Sequence, residues 1–284
     1  MKKAVSYFTL VLIGFVIVSL AQFVFVIMPP QLTSPQTPEF FDLPRENVMF
    51  QTDDGILLTG WFVEPSPSVE RALILLHSYP FDKTDLLPLA AELYPDFAFL
   101  LFDFRSFGDS SGRYTTFGVK EQHDVVAALN FLESRGYTRI GVFGSSLGGA
   151  VALIAAAEDP RINAVSSYAA YADITVLGND TFDGLRFLAE PFVNLLSVWA
   201  RPLFGAWPSD ISPEHAAQNI IVPTLIVHAR TDMFVPFAHA EKLQNALSHN
   251  PSAEFYFPET GTHGELPTDI APRLYDFFGR TLHE

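Results

Sequence analysis

Apolar and polar positions along this chain fall into two regimes. From Ala4 to Met28 no residue is charged, and Pro29-Pro30 closes the run. About 20 such residues cross the hydrocarbon core of a bilayer, so residues 1–30 are predicted to form a transmembrane helix. Residues 31–46 hold Pro35, Pro38 and Pro44 among mostly polar positions, the composition of an extended linker. From residue 47 to 284 the pattern is that of a folded domain. Val48–Gln51 and Ile56–Glu64 flank Asp53-Asp54-Gly55, a hairpin signal. Ala72–His77 is a near-continuous aliphatic run, as in a strand buried on both faces. Helical and extended runs then alternate. Leu86–Tyr94, Val119–Arg135, Leu147–Glu158, Ala238–Leu247 and Ala271–Leu282 read as helices. Phe97–Asp103, Arg139–Gly144, Ile162–Tyr168, Ile221–His228 and Glu254–Phe257 read as strands. Such a βα alternation predicts an α/β domain, a mostly parallel central sheet with helices on both faces. Residues 171–215 break the rhythm with Phe182, Phe187, Phe192, Trp199, Phe204 and Trp207. This stretch is expected to form a short helical cap, a packing element that also covers a site.

Composition narrows the function. The net charge of −15 repels phosphate backbones, so nucleic acid is not an expected partner. Without cysteine there is no disulfide framework, thiolate metal site or cysteine nucleophile. Aromatic residues make up 14% of the chain, which points to an apolar site or a surface close to lipid. Lys2 and Lys3 precede the apolar run, and the next basic residue is Arg45. The positive-inside rule then puts the N-terminus in the cytoplasm and the domain outside it. Ser19-Leu20-Ala21 resembles a signal-peptidase site, which makes secretion after cleavage the alternative. Phe23 to Met28 extend the apolar run beyond that site and favour an uncleaved anchor.

Gly144-Ser145-Ser146-Leu147-Gly148 matches G-x-S-x-G. It follows a predicted strand and opens a predicted helix, the context in which such a serine is exposed on a sharp turn. Ser146, not Ser145, is the expected nucleophile; the bland alternative is a small-residue turn packing a helix on a sheet. A serine hydroxyl needs a base and a group that orients the base. Behind a nucleophile of this kind the order is acid, then histidine. Asp232 follows the strand VPTLIVH, and His263 follows the strand at FYFP; both fall in loops at strand ends, where open α/β sheets carry their chemistry. Singly, an aspartate after a strand is often a cap and a loop histidine is often only solvated; together with Ser146 they make a triad. Asp103, Asp180, Asp183 and Asp210 are reserve acids. The N–H groups of Leu147 and Tyr79 are candidates for an oxyanion hole. His77 is read as shaping its loop. His123, His215, His228, His239, His249 and His283 show no metal-ligand spacing, and no metal is expected.

The segments LLHSYP, FDFRSFGDSSG (residues 102–112), GSSLGG (144–149), RTDMFVP (230–236) and GTHGEL (261–266) give the chain its family likeness. It resembles the α/β-hydrolase superfamily, most of all the serine aminopeptidase/monoglyceride-lipase-like and membrane-anchored branches, over about residues 47–282. The resemblance implies an α/β-hydrolase fold, a Ser146–Asp232–His263 triad and no cofactor. It also treats Asp103 and Arg105 as residues that hold loops. Two positions depart from the pattern: Ser78 stands where the family usually has glycine, at a turn a side chain can crowd, and Ala229 replaces another common glycine. The expected activity is cleavage of a small-molecule or lipid-like carboxylic ester through an acyl-enzyme. A peptidase or amidase of the same fold, and a non-catalytic binding scaffold, are the alternatives.

Overall fold

The computed structural model describes residues 2–32, 34–210 and 212–282; His283 lies outside them. One eight-stranded sheet runs through the domain in the order β1-β2-β4-β3-β5-β6-β7-β8. Its strands are β1 (Glu46–Gln51), β2 (Leu57–Val63), β3 (Arg71–Leu76), β4 (Ala98–Phe102), β5 (Arg139–Ser145), β6 (Ile162–Tyr168), β7 (Thr224–Val227) and β8 (Ala253–Tyr256). β2 is antiparallel to both of its neighbours, and from β4 to β8 every pairing is parallel. The hairpin forms where Asp-Gly predicts it, with Gly55 at φ +89°, a conformation open chiefly to glycine.

Both faces of the sheet are covered. One carries α3 (Glu121–Ser134), α4 (Leu147–Glu158), α7 (Pro213–Ala217) and α8 (Ala238–Ala246), joined through Val125, Leu129, Val151, Ala217 and Leu243. The other carries α2 (Leu87–Leu93) and α9 (Ile270–Thr281), through Leu87, Leu93, Leu274, Phe277 and Phe278. The fold is the α/β-hydrolase fold, with strands buried on both faces as their aliphatic runs require.

Differences from the sequence pattern have local causes. β7 begins three residues late because Pro223 has no N–H for the ladder, and Ile221 ahead of it is 83% exposed. α3 begins at Glu121, whose buried carboxylate gathers the hydroxyls of Thr115 and Thr116 and the N–H groups of Thr116 and Gly118. The linker is not extended throughout: Pro38–Phe41 make one 3-10 turn, and Leu43 is buried beside α2. Within the cap lie α5 (Ile174–Thr181) and α6 (Ala189–Phe204), while α7 packs against α4 and α8 in the body.

The N-terminal helix α1 spans Lys2–Ile27. Its stretch Tyr7–Ile27 is long and apolar enough to cross a membrane or to be a signal sequence. Its C-terminal half does not stand free. Phe15 meets Phe192 edge-on at 5.5 Å, and the Trp199 indole N–H donates to Ser19 Oγ at 3.1 Å. Phe23, Ile27, Val119, Ala200 and Phe204 then form a small core of their own.

Candidate active site

Ser146 sits on the turn between the end of β5 and the start of α4. Its backbone sits at φ 50°, ψ −110°, strained for a residue with a side chain. Ser146 N–H donates to the Tyr168 carbonyl at 2.8 Å, which ties the turn to the end of β6. The flanking glycines are steric requirements. A Cβ on Gly144 would lie 2.1 Å from the Gly148 oxygen, and one on Gly148 the same 2.1 Å from the Leu76 oxygen. Any side chain at either position would push α4 off the sheet.

Ser146 Oγ lies 2.9 Å from His263 Nε2, and His263 Nδ1 lies 2.8 Å from Asp232 Oδ2. The carboxylate accepts two further hydrogen bonds, from the Phe234 and Val235 N–H groups, each at 2.9 Å. Burial alone would raise the Asp232 pKa. The hydrogen bonds from His263, Val235 and Phe234 outweigh it and hold the group below the ordinary carboxylate range. An ionised Asp232 keeps the proton of His263 on Nδ1, leaving Nε2 free to accept from Ser146.

Several contacts that the sequence does not signal fix this geometry. Tyr168 donates its hydroxyl to the Glu265 carbonyl at 2.6 Å, bracing the histidine loop from the sheet end. Thr231 Oγ1 donates to the Gly261 oxygen and accepts from its N–H, lacing acid loop to histidine loop. The Phe234 ring lies 4.8 Å from that of His263. His228 is buried, and burial lowers its pKa and keeps it neutral; its Nε2–H donates to Val235 O at 2.8 Å, pinning the acid loop.

Leu147, as the first residue of α4, has an N–H with no partner inside the helix, and it lines the same cavity as Ser146 and Tyr79. Ser78 does not point its hydroxyl into that cavity: both its N–H and its Oγ–H donate to Asp85. The methyl of Ala229 is accommodated by Gly261, where a Cβ would come within 2.7 Å of it. His77 accepts from Phe104 N–H at Nε2, so its Nδ1–H donates to the Ser78 carbonyl. It joins the loop after β3 to the loop after β4. Asp103 binds Lys83 and the Asp109 N–H, and Arg105 binds Asp54 and Asp124. Asp180 is held by His239, and Asp183 and Asp210 are exposed in the cap. None of the reserve acids contacts His263 among the described residues, and no group of three metal-ligating side chains occurs among them.

The cavity above Ser146 measures about 300 Å³. α5 and α6 supply Leu177, Val193, Leu196 and Ala200; Tyr79, Phe117 and Phe234 come from the body. α1 adds Gln22, Phe23, Phe25, Val26 and Ile27.

A strand–serine–helix turn at the C-terminal edge of a mostly parallel sheet, with acid and histidine on later strand ends, defines an α/β-hydrolase. The sequence profile of the prolyl oligopeptidase family matches residues 106–280. That span takes in Ser146, Asp232 and His263, and the chain belongs to that family. YfhR of Escherichia coli is 27% identical over 240 residues, covering 81% of this chain and 77% of its own. Among solved structures, the Pyrococcus furiosus esterase Pf2001 superposes with a TM-score of 0.76 at 23% identity, over 91% of this chain and 99% of that one. The acylaminoacyl peptidase of Pyrococcus horikoshii gives 0.67 at 19%, over 90% of this chain and 45% of that one. At these identities the structural likeness is one of fold.

Proposed function

We propose that this hydrolase is a serine esterase that cleaves carboxylic esters with an apolar acyl group and is held at a membrane by α1. The observation that carries the reading is the relay of 2.9 Å and 2.8 Å from Ser146 through His263 to Asp232 at the foot of an apolar cavity. Ser146 Oγ attacks the ester carbonyl carbon while its proton passes to His263 Nε2. Asp232 stabilises the imidazolium that results, and the N–H groups of Leu147 and Tyr79 receive the oxyanion. Collapse of the tetrahedral intermediate returns the proton from Nε2 to the departing alkoxide and leaves an acyl-Ser146. Water activated by His263 then releases the acid.

The cavity lining supports an acyl group over a peptide: apolar side chains dominate it, and none of its residues is acidic or basic. A size of about 300 Å³ lies at the small end of ligand sites, enough for an aliphatic chain. Lys2 and Lys3 support a cytoplasmic N-terminus with the catalytic domain outside.

The test compares p-nitrophenyl esters of rising acyl length with aminoacyl-anilides, using the full chain beside Ser146→Ala. Ester turnover that falls at least ~10³-fold in Ser146→Ala is expected. Anilide cleavage without ester cleavage would replace the esterase with a peptidase. A folded chain that cleaves neither, and ignores a fluorophosphonate, would be a binding scaffold.

A further inference from the structure

An anchor helix has only to hold a domain at the membrane, and for that task its last turns need touch nothing. α1 does more. Its side chains at 15, 19 and 23 meet α6 at Phe192, Trp199 and Phe204 in turn, so the two helices run side by side in the same direction. At the far end the Ile27 carbonyl accepts a backbone hydrogen bond from Thr115 at 2.8 Å, which locks α1 to the loop ahead of α3. Between these fixed points, Gln22, Phe23, Val26 and Ile27 face the space above Ser146. Phe23 and Ile27 are 6% and 5% exposed, so this half of the helix is held in place as a core element is.

From this we infer that α1 is a wall of the substrate pocket, and that the acyl chain of the ester lies between the anchor helix and the cap, with Val26 and Gln22 limiting its length. The inference rests on the esterase reading and adds a specificity element outside the region matched by the family profile. Without α1 the lining would lack Gln22, Phe23, Val26 and Ile27, and an acyl chain lying there would meet water. With α1 in place, that part of the lining is apolar apart from the one amide of Gln22. Each methylene of a substrate chain buried there leaves water, so closing the wall favours long acyl groups over short ones.

The experiment uses the full chain in detergent micelles and compares Val26→Trp with Val24→Trp. Val24 lies on the same helix, is 43% exposed and does not line the cavity. The readout is the ratio of kcat/KM for p-nitrophenyl decanoate to that for the acetate. Val26→Trp is expected to lower this ratio at least tenfold, and Val24→Trp to leave it unchanged. A ratio unmoved by Val26→Trp overturns the inference. If Val26→Trp also loses acetate turnover, Val26→Ala decides: the enlarged pocket shifts the optimum to longer chains, and an unshifted optimum overturns the wall. Should the wild-type chain cleave neither ester, the esterase reading fails on its own. The wall is then tested with a diazirine-bearing fatty acid. Photolabel on residues 22–27 upholds it, and label confined to the cap, or no label, removes it.

Discussion

Ser78 is the residue that sets this chain apart from its superfamily at the proposed oxyanion hole, and its environment explains why it is tolerated. The hydroxyl and the N–H both turn to one carboxylate, Asp85, in the 3-10 turn that precedes α2. The side chain is therefore spent on bracing the loop, away from the Tyr79 amide. Ser78→Gly is expected to change ester turnover by no more than a few-fold. It should lower stability by about 1 kcal/mol, one lost hydrogen bond, read by thermal melts beside initial rates. A tenfold gain in kcat would show instead that the hydroxyl crowds the site. Glycines and order made Ser146, Asp232 and His263 legible in the sequence, because each answers to a rule of local geometry. Phe234, Tyr168 and Thr231 answer to no such rule. They touch the histidine loop across 29 to 97 positions of chain, and only the folded sheet brings them there.

Among the elements, α4 and β6 have the bounds that the pattern predicts. The place of α1 was not legible. A helix apolar on every side has no face that names its neighbour, so its contact with α6 left no trace in the sequence. Loops are held by charge. Arg105 bridges the β1–β2 hairpin to α3 by pairing with Asp54 on one side and Asp124 on the other. Partial burial would raise the Asp54 pKa, but the hydrogen bonds from Arg105 and Thr52 prevail and bring it down to about 2. A carboxyl whose folded pKa is depressed stabilises the fold above its unfolded value, ~4. That stabilisation is lost as the pH falls through about 2. The gap in melting temperature between wild type and Asp54→Asn is thus expected to be constant from pH 7 to 5 and to shrink between pH 4 and 2. A gap that does not narrow there would assign the effect to packing.

On the scale of the whole molecule, the docking of α1 on the cap sets how deep the protein would sit in the membrane proposed for it. Upstream of Phe15, which meets the cap at Phe192, residues 2–14 rise only about 20 Å at ~1.5 Å per residue. A bilayer core is ~30 Å thick. For α1 to cross as proposed, the cap has to dip about 10 Å into one leaflet, the depth at which amphipathic segments lie. The turn ahead of α6 mixes apolar and charged side chains as interfacial segments do: Leu185, Phe187 and Leu188 are exposed, Phe187 to 85%, beside Asp183, Arg186 and Glu190. Tryptophan fluorescence of Phe187→Trp, in vesicles of lipids brominated at stepped depths, should be quenched most by bromines near the headgroup end of the chains. An unquenched signal would mean that the cap stands clear of the lipid.

On the proposed reading, α1 is both tether and pocket wall. An enzyme whose acyl site begins on the helix that fastens it to the bilayer meets its substrate in two dimensions. Its rate then follows the mole fraction of ester within the surface. Diluting that ester with inert lipid slows it even when the amount per litre is unchanged, while adding buffer does nothing.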